Sequence, residues 1–266
     1  MDNIIDNTIY PLRAQEVEAK NKRRMGLGIT GTANALELQG LAYGSDKYIE
    51  VQSTILETLR DVAYETSSDI AKVKGSFPLF DAKQWLDSGF GKTLPDGVRK
   101  AIRKNGLRNS HLLSIAPTGT ISICADNISS GIEPVFSHTY DRVVHEFEGP
   151  VTYEVSDWAY RVHGFKGKTA NECTAEEHVK VLCAAQKYVD SSVSKTCNVG
   201  DDVDFEQFKA LYMMAYDGGA KGCTTFRASG KRMGILKAKE ENDNVEDTEG
   251  KACRIDAETG VRTCDE

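Results

Sequence analysis

Residues 108–144 read RNSHLLSIAPTGTISICADNISSGIEPVFSHTYDRVV, and this stretch decides the fold class. Its first part, HLLSIA, is an apolar run broken at Pro117 by a Pro-Thr-Gly-Thr turn, the pattern of a buried strand entering a loop. Ile132 to Val144 reads as a second strand. Helical patterns lie on both sides. Upstream, Ile55, Leu59, Val62 and Ile70, with Leu56 and Ala63 beside them, fit one apolar helix face over about residues 46 to 73, ended by Gly75 and Pro78. Downstream, Thr174 with Glu177 and Asp204 with Gln207 have capping-box spacing, in which a side-chain acceptor meets exposed helix amides. Val181, Leu182, Ala185 and Val189 supply the buried face of the first of these helices. Phe205, Phe208, Leu211, Tyr212 and Ala215 supply that of the second, which Gly218 and Gly219 close. Strands interleaved with helices define an α/β class, and periodicity leaves barrel and open sheet both open.

The 266 residues are 40% hydrophobic and 27% charged, an ordinary globular balance with enough apolar mass for one sizeable core or two small ones. No apolar run approaches the roughly 20 residues of a membrane helix, and MDNIIDNTIYPLR lacks the basic and apolar regions of a signal peptide, so a cytoplasmic protein is expected, away from membranes. Seven cysteines without framework spacing then predict reduced thiols. Net charge is -7, of which the ten acidic and five basic residues from Lys237 to Glu266 hold -5. A nearly neutral body offers no electrostatic footprint for nucleic acid. The basic run Lys20, Lys22, Arg23 and Arg24 reads as a solvated helix end within a polar, helical lead-in over residues 1 to 24. Asp81 to Asn105 reads as a surface excursion with short helices. After Leu236 the chain is charged and poor in large side chains, which divides it into a folded part, 1–236, and a flexible acidic tail, 237–266.

Few residues offer chemistry by spacing alone. Pro117-Thr118-Gly119-Thr120-Ile121 can point backbone amides inward while threonine hydroxyls add donors, a geometry that suits a phosphate but also serves as plain connection. GLGITG at Gly26 to Gly31 lacks dinucleotide-fingerprint spacing and reads as close backbone packing. The five histidines have no ligand spacing with one another or with cysteine, so no metal site is expected. Glu133, beside Pro134, is either a catalytic carboxylate or half of a structural salt bridge.

Four blocks carry a resemblance. RRMGLGITGTANAL, the stretch from Arg108 to Val144, KYVDSSVSKTCNVGDDVDFEQF and AYDGGAKGCTTFRASGKRMGIL look, in that order, like consecutive blocks of the large subunit of adenosylcobalamin-dependent ribonucleotide reductases. Residues 1–24 are similar to the stretch that precedes them. The resemblance implies the carboxy-terminal portion of a ten-stranded α/β barrel, with substrate phosphate, favoured as a diphosphate, at Pro117, Thr118, Gly119, Thr120 and Ile121. It also implies a thiyl-radical cysteine on an Asn-x-Cys-x-Glu loop, which is not in this sequence. Asn171-Glu172-Cys173 has the letters in the wrong order. Cys197-Asn198-Val199-Gly200 is only superficially similar to the family's reductant segment, and the surrounding block usually has an aliphatic residue at Cys197, which is therefore expected to be buried and structural.

The expectation that follows is one part of a ribonucleotide reductase, inactive alone. Because the chain opens on methionine inside the family pattern, it is expected to be either the smaller polypeptide of a split enzyme, the favoured reading, or a truncated copy. An amino-terminal partner would then supply the radical cysteine, the reductant pair and most of the adenosylcobalamin site. Cys253 and Cys264 fit the family's carboxy-terminal redox pair, restored by a thioredoxin-like reductant, although their spacing is wider than is common and their acidic neighbours disfavour the thiolate. Two other readings stay open: a non-enzymatic nucleotide-binding or assembly module derived from the same barrel, and a glycyl-radical relative.

Overall fold

The computed structural model describes residues 1–147, 149–200 and 203–227, with the backbone of three short strands at 236–238, 253–255 and 262–264. Its centre is a set of parallel chain segments. Leu27 bridges Leu113, and Ile115 bridges Val193, both in parallel. Backbone bonds extend these contacts: Leu27 N donates to Leu112 O at 2.7 Å, Ser114 N to Leu27 O at 2.9 Å, and Ser194 N to Ile115 O at 2.8 Å. Parallel neighbours need long crossovers, and helices supply them here. Between the first two segments lie α3 (Thr32–Glu37), α4 (Asp46–Lys74), α5 (Ala82–Asp87) and α6 (Asp96–Asn105); before the first lie α1 (Asp2–Asn7) and α2 (Arg13–Lys22). Between the second and third lie α7 (Gly119–Cys124), the hairpin of β1 (Thr139–Glu146) and β2 (Gly149–Ser156), α8 (Trp158–His163) and α9 (Ala175–Gln186). The third segment continues into β3 (Thr196–Asn198), which pairs in parallel, through α10 (Phe205–Asp217), with β4 (Thr224–Phe226).

Leu36, Tyr48, Leu56, Tyr64 and Leu182 from α3, α4 and α9, with Tyr43 from the α3–α4 connection, pack against Leu113, Ile115 and Val193 in one core. The wall is that of a partial α/β barrel: its strands form no closed sheet among the described residues. No described helix is long and apolar enough to cross a membrane. β5 (Leu236–Ala238) adds to β1, and β6 (Cys253–Ile255) pairs with β7 (Arg262–Cys264).

Helix boundaries follow the local chemistry. Ser45 caps α4 and Gly75 ends it, and both capping boxes form at Thr174–Glu177 and Asp204–Gln207. Five sequence expectations need correction. The buried stripe of α4 is Gln52, Leu56, Arg60, Ala63, Tyr64, Ser67 and Ala71, whereas Ile55 and Val62 face outward. Polar groups displaced them because they find partners: Gln52 Nε2 donates to Val181 O and Ser67 Oγ to Asn109 Oδ1. On α10 only Leu211 and Ala215 are buried, and Phe205 is 75% exposed.

The strand expected at HLLSIA shrinks to single bridges because the Asp190 carboxylate takes the Leu112 amide at 2.6 Å and the Leu113 amide at 3.2 Å, donors a longer ladder would need. The strand expected from Ile132 begins only at Thr139. Pro134 has no amide to give, and the Ile132 carbonyl is taken by Tyr43 Oη at 2.8 Å. Arg23, expected in a solvated run, is buried, with Asp2 at 2.7 Å and Asp6 at 2.7 Å, so it pins the lead-in helix α1 to the body.

Candidate functional site

Each parallel segment delivers a polar group at its carboxyl end: Thr30 after the first, Thr118 after the second, Lys195 at the end of the third. That end is where α/β folds gather ligand-binding loops. Thr118 adopts left-handed backbone geometry, φ 52° and ψ 21°, as the residue before α7. For a β-branched residue this costs about 1–2 kcal/mol, and the side chain offsets it. Thr118 Oγ1 accepts from Gly131 N at 2.7 Å and lies 2.9 Å from Thr30 Oγ1, which itself accepts from Gly131 N at 3.0 Å. Ser122 Oγ donates to Gly119 O at 3.0 Å and lies 3.0 Å from Ser130 Oγ. The turn is thereby clamped from below by the SSG segment, Ser129 to Gly131.

Two glycines make opposite contributions. Gly131 has φ +54°, and a Cβ there would lie 2.8 Å from Ala116 O, so the clamp needs glycine. At Gly119 a Cβ would meet nothing within 4 Å. The space above Gly119 is open, and the amides of Gly119, Thr120 and Ile121 belong to the first turn of α7, groups that a helix leaves without an intrahelical acceptor. Pro117, Gly119, Thr120 and Ile121 are exposed and Thr118 is half-buried. The five residues singled out in the sequence thus form one continuous outward-facing turn.

Beneath the clamp, Asn34 ties three elements together. Its Oδ1 accepts from Ser129 N at 2.5 Å and its Nδ2 donates to the Asp157 carboxylate at 3.0 and 3.1 Å. Burial raises the Asp157 carboxyl above its ordinary range, against the lowering effect of the Asn34 bond. On the other side, Lys195 is fully buried and donates to Glu133 Oε2 at 2.5 Å, His178 Nδ1 at 2.7 Å and Thr196 O at 2.7 Å. Glu133 also accepts from Thr196 N at 2.6 Å, so of its two readings the salt bridge is the one formed. With Nδ1 accepting from Lys195, His178 turns Nε2–H to Ala170 O at 3.1 Å, and burial beside Lys195 pushes its pKa down to about 4.

The glycines of GLGITG pack as expected: a Cβ at Gly28 would lie 2.3 Å from Ser114 O. Cys173 of the reversed Asn171-Glu172-Cys173 triplet is buried, which pushes its thiol up to about 12. Cys197 is buried, as expected. Cys253 and Cys264 stand opposite each other in the β6–β7 register; their side chains and the rest of the tail lie outside the described residues. Thr30, Asn34, Ser129, Ser130 and the Lys195–His178 pair escaped sequence reading. The hydroxyls of GLGITG and SSG were its one available signal.

Parallel segments crossed over by helices, with a hydroxyl-braced turn at their carboxyl ends, place the chain among partial α/β barrels. Comparison makes the class specific: the chain matches the model of the ribonucleotide reductase barrel domain over residues 1–162 and 160–226, and it belongs to that family. The vitamin B12-dependent ribonucleoside-diphosphate reductase of Mycobacterium tuberculosis is 27% identical to it, over 89% of this chain and 35% of that protein. The one of Thermoplasma acidophilum is 28% identical, over 90% of this chain and 32% of that protein. Ribonucleoside-diphosphate reductase subunit alpha of Treponema pallidum is 26% identical, over 83% and 26%. The chain spans about a third or less of the length of these relatives.

Proposed function

We propose that this chain is the substrate-phosphate part of a cobalamin-dependent ribonucleotide reductase, an oxidoreductase of the cytoplasm. The observation that carries the reading is the turn at Pro117–Ile121: braced from below by Thr30 and Gly131, open above Gly119, and presenting the first-turn amides of α7. Its role is positioning. A diphosphate held there fixes the ribose against a radical supplied by another part of the enzyme, and such anchoring converts binding energy into correct approach of the reacting atoms.

The radical cysteine loop is absent from this sequence, so the activity requires a further reductase segment that carries it, here proposed to be an amino-terminal reductase polypeptide. The open wall and the exposed apolar side chains Ile55, Val62 and Phe205 are consistent with a surface completed by such a partner. Adenosylcobalamin is assigned mostly to the part of the enzyme outside this sequence, and no step of this chain runs through it. Cys253 and Cys264 are proposed as the pair that passes electrons from a thioredoxin-like protein, a role helped by their facing positions in the β6–β7 register.

The test is equilibrium binding of a ribonucleoside diphosphate to the assembled enzyme. Thr120→Val, if its hydroxyl meets the phosphate, should cost about 1.5–3 kcal/mol, roughly 10- to 150-fold in Kd. Gly119→Val should weaken binding by filling the open space while leaving the fold intact. Unchanged affinity in both variants would remove the phosphate from this turn.

A further inference from the structure

Cys197, expected from the sequence to be buried and structural, has a second thiol brought to it by the fold. Cys197 Sγ lies 3.6 Å from Cys223 Sγ, across the parallel pair of β3 and β4. It is the one thiol–thiol contact among the described residues, where Cys124, Cys173 and Cys183 are also free. The two members differ in access. Cys197 is wholly buried, in the small core formed with Val179, Val199, Leu211 and Ala215, whereas Cys223 is half-buried immediately before β4. Two further features separate their chemistry. The two sulfurs share a contact in which either can donate its S–H, and the buried Lys195 ammonium lies close enough to act on both. The contact with Cys197, and then Lys195, lower the Cys223 thiol against the opposing effect of its burial.

We infer that Cys197 and Cys223 form an oxidisable dithiol, a thiol–disulfide exchange site for small disulfides of the glutathione class, independent of the phosphate turn and of the tail cysteines. Cys223 is the attacking sulfur. Its thiolate forms a bond to one sulfur of the small disulfide, whose S–S bond breaks and whose other half leaves as a thiolate with the bonding pair. Cys197 then loses its proton and attacks Cys223 Sγ, expelling the second half. The balance is two protein thiols oxidised to one disulfide and one small disulfide reduced to two thiols.

A disulfide needs the sulfurs at about 2.05 Å, so they must close by roughly 1.5 Å. The movement falls on Cys223, which precedes its strand and is not held by the ladder. The product would tie β4 to a point two residues beyond Lys195, the residue that holds Glu133 and His178 in place.

The experiment uses the full chain with Cys253→Ser and Cys264→Ser, so that the tail cannot contribute. The protein is treated with glutathione disulfide, alkylated, digested without reduction and analysed by mass spectrometry. The expected result is loss of two of the five remaining thiols and a peptide pair joined through Cys197 and Cys223. Adding Cys197→Ser should leave Cys223 trapped as the mixed glutathione disulfide. With Cys223→Ser instead, Cys197 should stay unmodified until the chain is unfolded. Recovery of Cys223 as a free thiol, as a lasting mixed disulfide with Cys197 intact, or joined to Cys183 would each overturn the inference.

Discussion

Thr118 is the residue on which the turn rests, and replacing it with alanine and with glycine separates its two contributions. Alanine keeps the left-handed strain and removes the hydroxyl, breaking the contacts to Gly131 N at 2.7 Å and Thr30 Oγ1 at 2.9 Å. At about 0.5–1.5 kcal/mol net for each bond, Thr118→Ala should destabilise by roughly 1–3 kcal/mol. The lower half of that range is favoured, since Gly131 N retains Thr30 Oγ1 as an acceptor at 3.0 Å. Glycine loses the same bonds but adopts φ 52° without strain, so Thr118→Gly should be more stable than Thr118→Ala by about 1 kcal/mol, the left-handed penalty, less the chain entropy glycine adds to the unfolded state. Urea unfolding followed by tryptophan fluorescence reads both. Trp158 is bonded through its amide to Asn127, just past α7, and Trp85 reports on the other side of the core through its bond to Ser110. An alanine variant within about 0.5 kcal/mol of the parent, or a glycine variant less stable than alanine, would refute the brace.

Three other outcomes follow from the same geometry. Gly131→Ala places a Cβ 2.8 Å from Ala116 O at φ +54° and should cost roughly 1–3 kcal/mol in the same unfolding assay. His178 is held neutral in the fold, with its pKa down to about 4 from 6.5, so the unfolded chain binds the extra proton between those values. Stability should therefore fall as pH drops from 6.5 toward 4, by up to roughly 3 kcal/mol from this group; His178→Gln, which cannot titrate, should show a shallower decline in acid titrations of stability. Cys253→Ser with Cys264→Ser should abolish multiple turnovers driven by thioredoxin in the assembled enzyme, while single-turnover product and much of the activity with small dithiols persist.

How much was legible depended on whether the deciding interaction was local. Capping at Thr174 and Asp204 and the termination of α4 at Gly75 are written in residues three or four apart, and all appear as read. The Pro117–Ile121 turn was legible as a turn, but its brace joins Thr30 to Thr118 across 88 residues, which no spacing rule reports. The α4 face was misread because hydropathy assigns Ile55 to the core and Arg60 to water. The folded helix buries Arg60, whose guanidinium pairs with Asp61 at 2.7 Å and lies over the Tyr188 ring. A strand at HLLSIA was a fair reading of its apolar run, undone by one carboxylate, Asp190, more than 70 residues away. Lys195 sits in a block whose letters gave no hint of burial, and its partners Glu133 and His178 come from two other parts of the chain.

The central proposal is that this chain supplies a phosphate-holding turn to a reductase whose radical cysteine lies outside this sequence. It is tested most directly by reconstitution with a family polypeptide bearing the cysteine loop, in the presence of adenosylcobalamin and a dithiol, with deoxyribonucleotide formed from a ribonucleoside diphosphate as the readout. The account predicts product with both polypeptides together, none with either alone, and a rise in KM when Gly119→Val is introduced into this chain. Product formed by the partner without this chain, or unaltered kinetics with Gly119→Val, would contradict it.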